Sequence, residues 1–355
     1  MKRSGALITT AWFASAAFVL FAVAGIAAAQ EPLASFDEPV DAMAVSALDP
    51  QIVFVLAGEK FLTSIDGGKS FKAADAPSLL SGDRILLPDV ANRLGLFLLS
   101  GSQTSQFAPG RLYRTLDGGQ TWTPLAQTIP DLQIASFVQN AGDPATLYLA
   151  DASGVLFVSK DTGKNWIGLE GSRFRGMKIG AIAAFAKAPR TLFVAAAPWT
   201  SHCPCGDVYR STDGGASWEK IVPVVDEKTG RETIPGVIAL RYSPKDATTL
   251  WGVEAYLAIV TRDGGNSWKE LQEAVDDRVA ALQNVYLDPD DPQTVYLFST
   301  TIRRSRGGEK WDVVVAEAPA PIRAMTIRPL DKKTRQILYA AGKALYAQPL
   351  PTRKR

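Results

Sequence analysis

One eight-residue phrase recurs along the chain, and that recurrence restricts the fold more than any other feature. It reads Ser211-Thr212-Asp213-Gly214-Gly215-Ala216-Ser217-Trp218, and returns as Thr115 to Trp122, Ser159 to Trp166 and Thr261 to Trp268. Ser64 to Phe71 is a fifth copy, with Phe in place of Trp. A sixth, Arg306-Gly307-Gly308-Glu309-Lys310-Trp311, keeps glycines and Trp and reads as though Arg306 had replaced the acid. The step is about fifty residues, a period that belongs to stacked supersecondary units such as propeller blades.

A second signature stands upstream of each box: an apolar strand, a Pro/Asp turn, then a strand of the kind Thr146-Leu147-Tyr148 or Thr294-Val295-Tyr296. Counting it gives seven units, beginning near Val40, Asp83, Gln133, Ile179, Val237, Leu282 and Ile322. The seventh ends at Tyr346-Ala347 without room for a fourth strand, so Glu31 to Phe36 is expected to supply it. That exchange closes the ring and hides its edges. The expected fold is therefore all-β, a seven-bladed β-propeller whose last blade is completed by an N-terminal strand. An eight-bladed or open arrangement is the alternative. Asp-Gly is hairpin chemistry, so the box acids are read as turn fasteners, not catalysts.

The box resembles the Asp-box (BNR) repeat, and the resemblance covers nearly all of the chain after its apolar start. Propellers of that family include sialidases, xyloglucan-type exoglucanases, sortilin-type receptors and photosystem II stability/assembly factors. The resemblance implies the fold without choosing among those functions. Size and unit number look most like the assembly-factor group. A sialidase adds a Phe-Arg-Ile-Pro motif near its N-terminus. Here that region reads Ala34-Ser35-Phe36-Asp37-Glu38-Pro39, and Ser172-Arg173-Phe174-Arg175 lies in the wrong unit.

Lys2 and Arg3 precede an apolar run from Ala6 to Ala28, with small residues up to Ala29. This reads as a signal peptide over 1–29, followed by one propeller domain over 30–351 and a basic tail over 352–355. The expected location is periplasmic or extracellular, with an uncleaved membrane anchor as the alternative. The chain has 38 Lys+Arg and 36 Asp+Glu, and loss of Lys2 and Arg3 leaves 36 against 36. A neutral chain has no field to gather nucleic acid, so that partner class is excluded.

Function is expected on the face opposite the boxes, where the long loops fall: 100–110, 168–178, 198–207 and 222–234. Phe107, Phe174 and Trp199 are its exposed-aromatic candidates, with Arg175 and Arg231 beside them. Aligning the innermost strands puts Arg323, Asp41 and Arg84 at one position in units seven, one and two, neighbours in a closed ring. Two arginines and one acid form either an ion network or a site for an anion or acidic peptide.

His202-Cys203-Pro204-Cys205 holds the chain's one His and both Cys. A disulfide staple, a soft-metal site and a redox pair all remain open. No cofactor is called for. The expectation is a monomeric, non-enzymatic scaffold for a protein or peptide, of the kind that serves as an assembly or stability factor for a membrane or envelope complex; a glycan-cleaving or glycan-binding propeller is the alternative. A hydrolase would need two facing carboxylates, and Glu170, Asp226, Glu227, Glu232 and Glu254 do not announce such a pair.

Overall fold

The computed structural model describes residues 30–79, 84–101, 110–129, 132–169, 173–185, 187–198, 206–221, 224–225, 232–233, 237, 239–242, 248–253, 258–271, 284–308, 310–331 and 333–350. Seven four-stranded antiparallel sheets follow one another along the chain, with a two-stranded pair, Val224–Val225 and Glu232–Thr233, between the fourth and fifth. Each sheet is one blade of a seven-bladed propeller. The innermost strands begin at Val40, Arg84, Ile134, Met177, Ala239, Asn284 and Ile322. The order in the seventh sheet places Ala34–Ser35 outermost, beside Ala344–Leu350.

The N-terminal segment therefore closes the ring. Leu33 N donates to Leu345 O at 2.7 Å and Phe36 N to Lys343 O at 2.8 Å. Leu33, Ala34 and Phe36 pack on the apolar core between blades 7 and 1, and the Phe36 ring meets Phe71 edge-on at 5.3 Å.

Apolar burial is organised between blades. Facing residues of adjacent sheets form the seven hydrophobic clusters, as Phe54, Leu56 and Phe61 of blade 1 do with Leu86, Leu96 and Tyr113 of blade 2. Residues at the same level of the second strand are consistently large: Phe54, Phe97, Tyr148, Phe193, Trp251, Tyr296 and Leu338. The box Trp seals the interface with the preceding blade. Trp122 lies edge-on to Phe61 at 5.0 Å, and Trp218 lies edge-on to Phe174 at 5.1 Å.

The boxes share one hydrogen-bond pattern, which explains the sequence of the phrase. In the fourth blade Ser211 Oγ donates to Asp213 Oδ1 at 2.8 Å and accepts from Gly215 N at 2.8 Å. Asp213 also accepts from Ser217 N and Ser217 Oγ, at 2.9 and 2.5 Å. The carboxylate thus gathers the donors of its own turn. Ser217 and Ser211 together hold the Asp213 carboxyl well below its usual range, and Ser70 and Ser64 do so for Asp66. Desolvation opposes the shift at Asp117 and Asp263, but the donors of Thr121 and Ser267 win and both fall to about 2. Bonds from Asn165 bring Asp161 to about 2.

These lowered values define a pH window. Carboxylates whose folded pKa lies below the unfolded value of about 3.9 stabilise the fold above that pH. The contribution is lost as pH falls through the folded values. Thermal melts at stepped pH are expected to be flat down to about pH 4 and to drop between about pH 4 and 2; a drop already complete at pH 5 would contradict this.

Two boxes depart from the pattern. In the third, Thr162 takes the first glycine's place at φ +60°, a left-handed conformation that costs a β-branched residue on the order of 1–2 kcal/mol. In the sixth, the expected replacement of Asp by Arg306 is corrected: the acid is deleted. Ser305 pairs with Val295 as Ser64 pairs with Val53, and Gly307 N donates to Gln293 O as Gly67 N donates to Gln51 O. Only Arg306 lies between Ser305 and Gly307, where Ile65 and Asp66 separate Ser64 from Gly67. Arg306 holds the outward position of Ile65. Without a carboxylate, the buried Ser305 hydroxyl has no partner among the described residues.

Candidate functional site at the channel mouth

The innermost strands run beside the central channel, and their first residues stand at its mouth on the face away from the boxes. Asp41, Ala135, Gly180 and Arg323 each sit at a register shift, where the strand slips against its neighbour by one residue. A bulge of this kind removes a residue from the ladder and re-aims its side chain. Arg84 holds the same place at the head of its strand without a bulge.

Asp41 and Arg84 form an ion pair through Oδ2 and Nη1. Arg84 Nη1 also donates to Gly58 O at 2.8 Å, and Gly58 N donates to Asp41 Oδ2 at 3.1 Å. The acid and one arginine are thus committed to each other and to the hairpin of blade 1. Arg323 is exposed, and among the described residues no hydrogen bond or ion pair holds its side chain. Its strand packs beside that of Asp41, which in turn packs beside that of Arg84. The three expected residues share one sector of the mouth, but only two of them are paired.

Behind the mouth is a channel cavity of about 330 Å³. Ile85, Leu87, Leu99, Phe137, Val138, Ala181, Ala183 and Leu240 make its wall apolar, with Ser136, Gln139 and Arg241 as its polar groups. No carboxylate lines it among the described residues. Gln139 is fixed toward the box end, donating to Asp89 Oδ1 at 3.0 Å and accepting from Val90 N at 2.9 Å. Asp89 is itself buried and held by Arg114 at 2.6 Å, so this end is a structural network.

Arg241 is the functional candidate that alignment of the first channel position missed. It occupies the level held by Ala44, Leu87, Val138 and Ala183 in other blades. Its guanidinium is open to water yet ringed by protein, and desolvation lowers its pKa from arginine's ordinary value. Nη1 donates to the carbonyl of Leu240 at 2.9 Å, and no acid pairs with it among the described residues. A single Arg inside an otherwise apolar innermost strand was the signal available in the sequence.

The remaining candidates divide. Phe174, expected to be exposed, is fully buried: its ring meets Tyr209 at 5.0 Å and Trp218 at 5.1 Å. The connection folds back over blade 3, with Gly176 N donating to Ser153 O at 3.0 Å, and this turns Phe174 into the interface between blades 3 and 4. Arg175 beside it is exposed. Phe107, Trp199, Arg231, His202, Cys203 and Cys205 lie outside the described residues. Among the described residues no group of three or more His, Cys, Asp or Glu is placed to hold a metal ion.

The sequence matches the family model described as "Sortilin, neurotensin receptor 3" over residues 110–228, about a third of the chain. That stretch spans boxes two to four, and the structure extends the same unit around the whole ring. The fold is a seven-bladed β-propeller. No curated protein matches the sequence. Solved structures with the same fold include YCF48 from Cyanidioschyzon merolae, at TM-score 0.57 and 16% identity over 91% of this chain and 99% of that one. YCF48 bound to D1 peptide aligns at TM-score 0.56 and 15% identity over 90% and 96%. An ancestral GH74 enzyme aligns at TM-score 0.61 and 15% identity over 90% of this chain but 46% of its own, so the propeller spans about half that enzyme. At these identities the likeness is one of fold, and function has to come from the site.

Proposed function

We propose that this Asp-box propeller is a non-enzymatic scaffold that binds an acidic segment of a protein or peptide at the channel mouth. The observation that carries the reading is the charge arrangement there. Asp41 is consumed by Arg84, while Arg323 at the rim and Arg241 in the channel have no acidic partner among the described residues. An apolar wall with unpaired guanidinium groups suits a segment that brings both apolar side chains and a carboxylate. That a solved structure shows YCF48 bound to D1 peptide supports peptide binding as a use of this fold. We further propose that the protein works after export, in the periplasm or outside the cell, as an assembly or stability factor for a membrane or envelope complex. The charged start and apolar run of 1–29 support export.

The GH74 likeness keeps a carbohydrate-active alternative open, which would need two carboxylates about 5–10 Å apart facing a sugar site. The test of the main reading uses a synthetic peptide rich in Asp and Leu, titrated calorimetrically. Arg323→Ala and Arg241→Ala are each expected to weaken binding about tenfold, the scale of a lost charge-assisted pair of roughly 1.5 kcal/mol. Equal affinity for wild type and both variants would overturn it.

A further inference from the structure

Among the described residues the outermost strand of every blade has no strand neighbour on one side of its backbone, and such an edge is a template for another chain. In six blades that edge is blunted. Ala34–Ser35, Ile167–Gly168 and Glu219–Lys220 are two residues long. Thr123–Leu125 contains Pro124, which has no N–H to offer. Lys72–Asp75 carries a charge at each end, and Lys269–Leu271 begins with Lys and Glu.

Blade 6 is different. Its outer strand, Trp311–Val315, is five residues long, contains neither Pro nor Lys, and ends in three valines. The one charge, Asp312, is drawn onto Arg304 of the inner neighbour at 2.9 Å. Val313 is 57% exposed, the one large exposed apolar side chain on this blade among the described residues. The inner side of the strand pairs with Ile302–Arg306, and the register shift at Val314 leaves Trp311 to Val313 as the regular stretch of the edge. Among the described residues no strand lies on its outer side. β-branched residues on an open edge are what strand addition uses: backbone bonds give affinity, and alternate side chains give selectivity.

We infer that the outer edge of blade 6 accepts an extended segment of a partner protein as a fifth strand, bonded along Trp311 to Val313, with an apolar β-branched side chain laid over Val313. A second copy of the propeller fits less well. Two rigid rims would meet along one short strand with a single exposed valine on each, short of the roughly 1,000 Å² that a stable interface needs. A flexible segment has no such limit, because it continues past the edge and follows the surface.

This site is independent of the channel mouth and is tested separately. Phage-displayed random heptapeptides are panned on the whole propeller, and recovered sequences are synthesised for titration. The expected peptides alternate β-branched and polar residues. Their affinity should fall at least tenfold on Val313→Lys, whose exposed position leaves the melting temperature unchanged. It should fall similarly when alternate peptide amides are N-methylated on unaltered protein, and be unaffected by Arg323→Ala. Recovery of no binder, equal binding to Val313→Lys, or tolerance of N-methylation would each overturn the inference.

Discussion

Gly119→Ala is expected to destabilise the propeller by about 3 kcal/mol, as the sum of a left-handed backbone penalty and an overpacked interface. Gly119 has φ +85°, and a Cβ built there lies 2.1 Å from Cδ1 of Phe61 in the preceding blade. Phe61 has nowhere to go: it is fully buried, stacked on Phe54 at 6.1 Å and capped by Trp122. The second glycine of a box is thus demanded by a neighbour's ring as much as by the turn. Gly214→Ala is the control. It has φ +82° but nothing within 4 Å of its Cβ, so only the backbone penalty of roughly 1 kcal/mol applies. Urea denaturation of the two variants should separate them by about 2 kcal/mol; equal losses would show that the box glycines matter for conformation alone.

Removal of residues 30–37 is expected to cost about 5 kcal/mol, a large share of the 5–15 kcal/mol that holds a typical domain. Two half-buried apolar side chains, Leu33 and Phe36, leave the core between blades 7 and 1. Their burial is worth about 3 kcal/mol together, and the lost backbone bonds to Leu345 and Lys343 about 1 kcal/mol each. The truncation also bares the edge of the last blade at Ala344 and Leu345, which invites association between molecules. A lowered denaturation midpoint together with light scattering at rest would match the account. Unchanged stability would mean that the ring is not closed by this segment.

Much of this architecture could be read from the chain because propeller blades repeat one local solution. The donors at Ser211 and Ser217 and the glycines between them belong to a single turn, so eight residues suffice to recognise it. The closing strand was legible by arithmetic, since the seventh unit lacked a fourth strand. Three features were not legible, each for a physical reason. The loss of the acid from the sixth box looks like a substitution until strand pairing aligns Ser305 with Ser64. Phe174 is an exposed loop residue by sequence, yet the chain folds its loop back onto a neighbouring blade, a contact that no local pattern encodes. Arg241 enters the site because seven strands surround one axis, and a side chain open to water in that channel resembles a core position when its strand is read alone. At the mouth itself, sequence placed Arg323, Asp41 and Arg84 together but could not say that Arg84 alone would take the acid.

Hydrogen–deuterium exchange, measured with and without the saturating acidic peptide, tests the central claim most directly, because it reports which face is engaged. Protection is predicted at the heads of the innermost strands, around Asp41, Arg84 and Arg323, and along Ala239–Tyr242 in the channel. Protection confined to the box turns, such as 64–71 and 115–122, would contradict it.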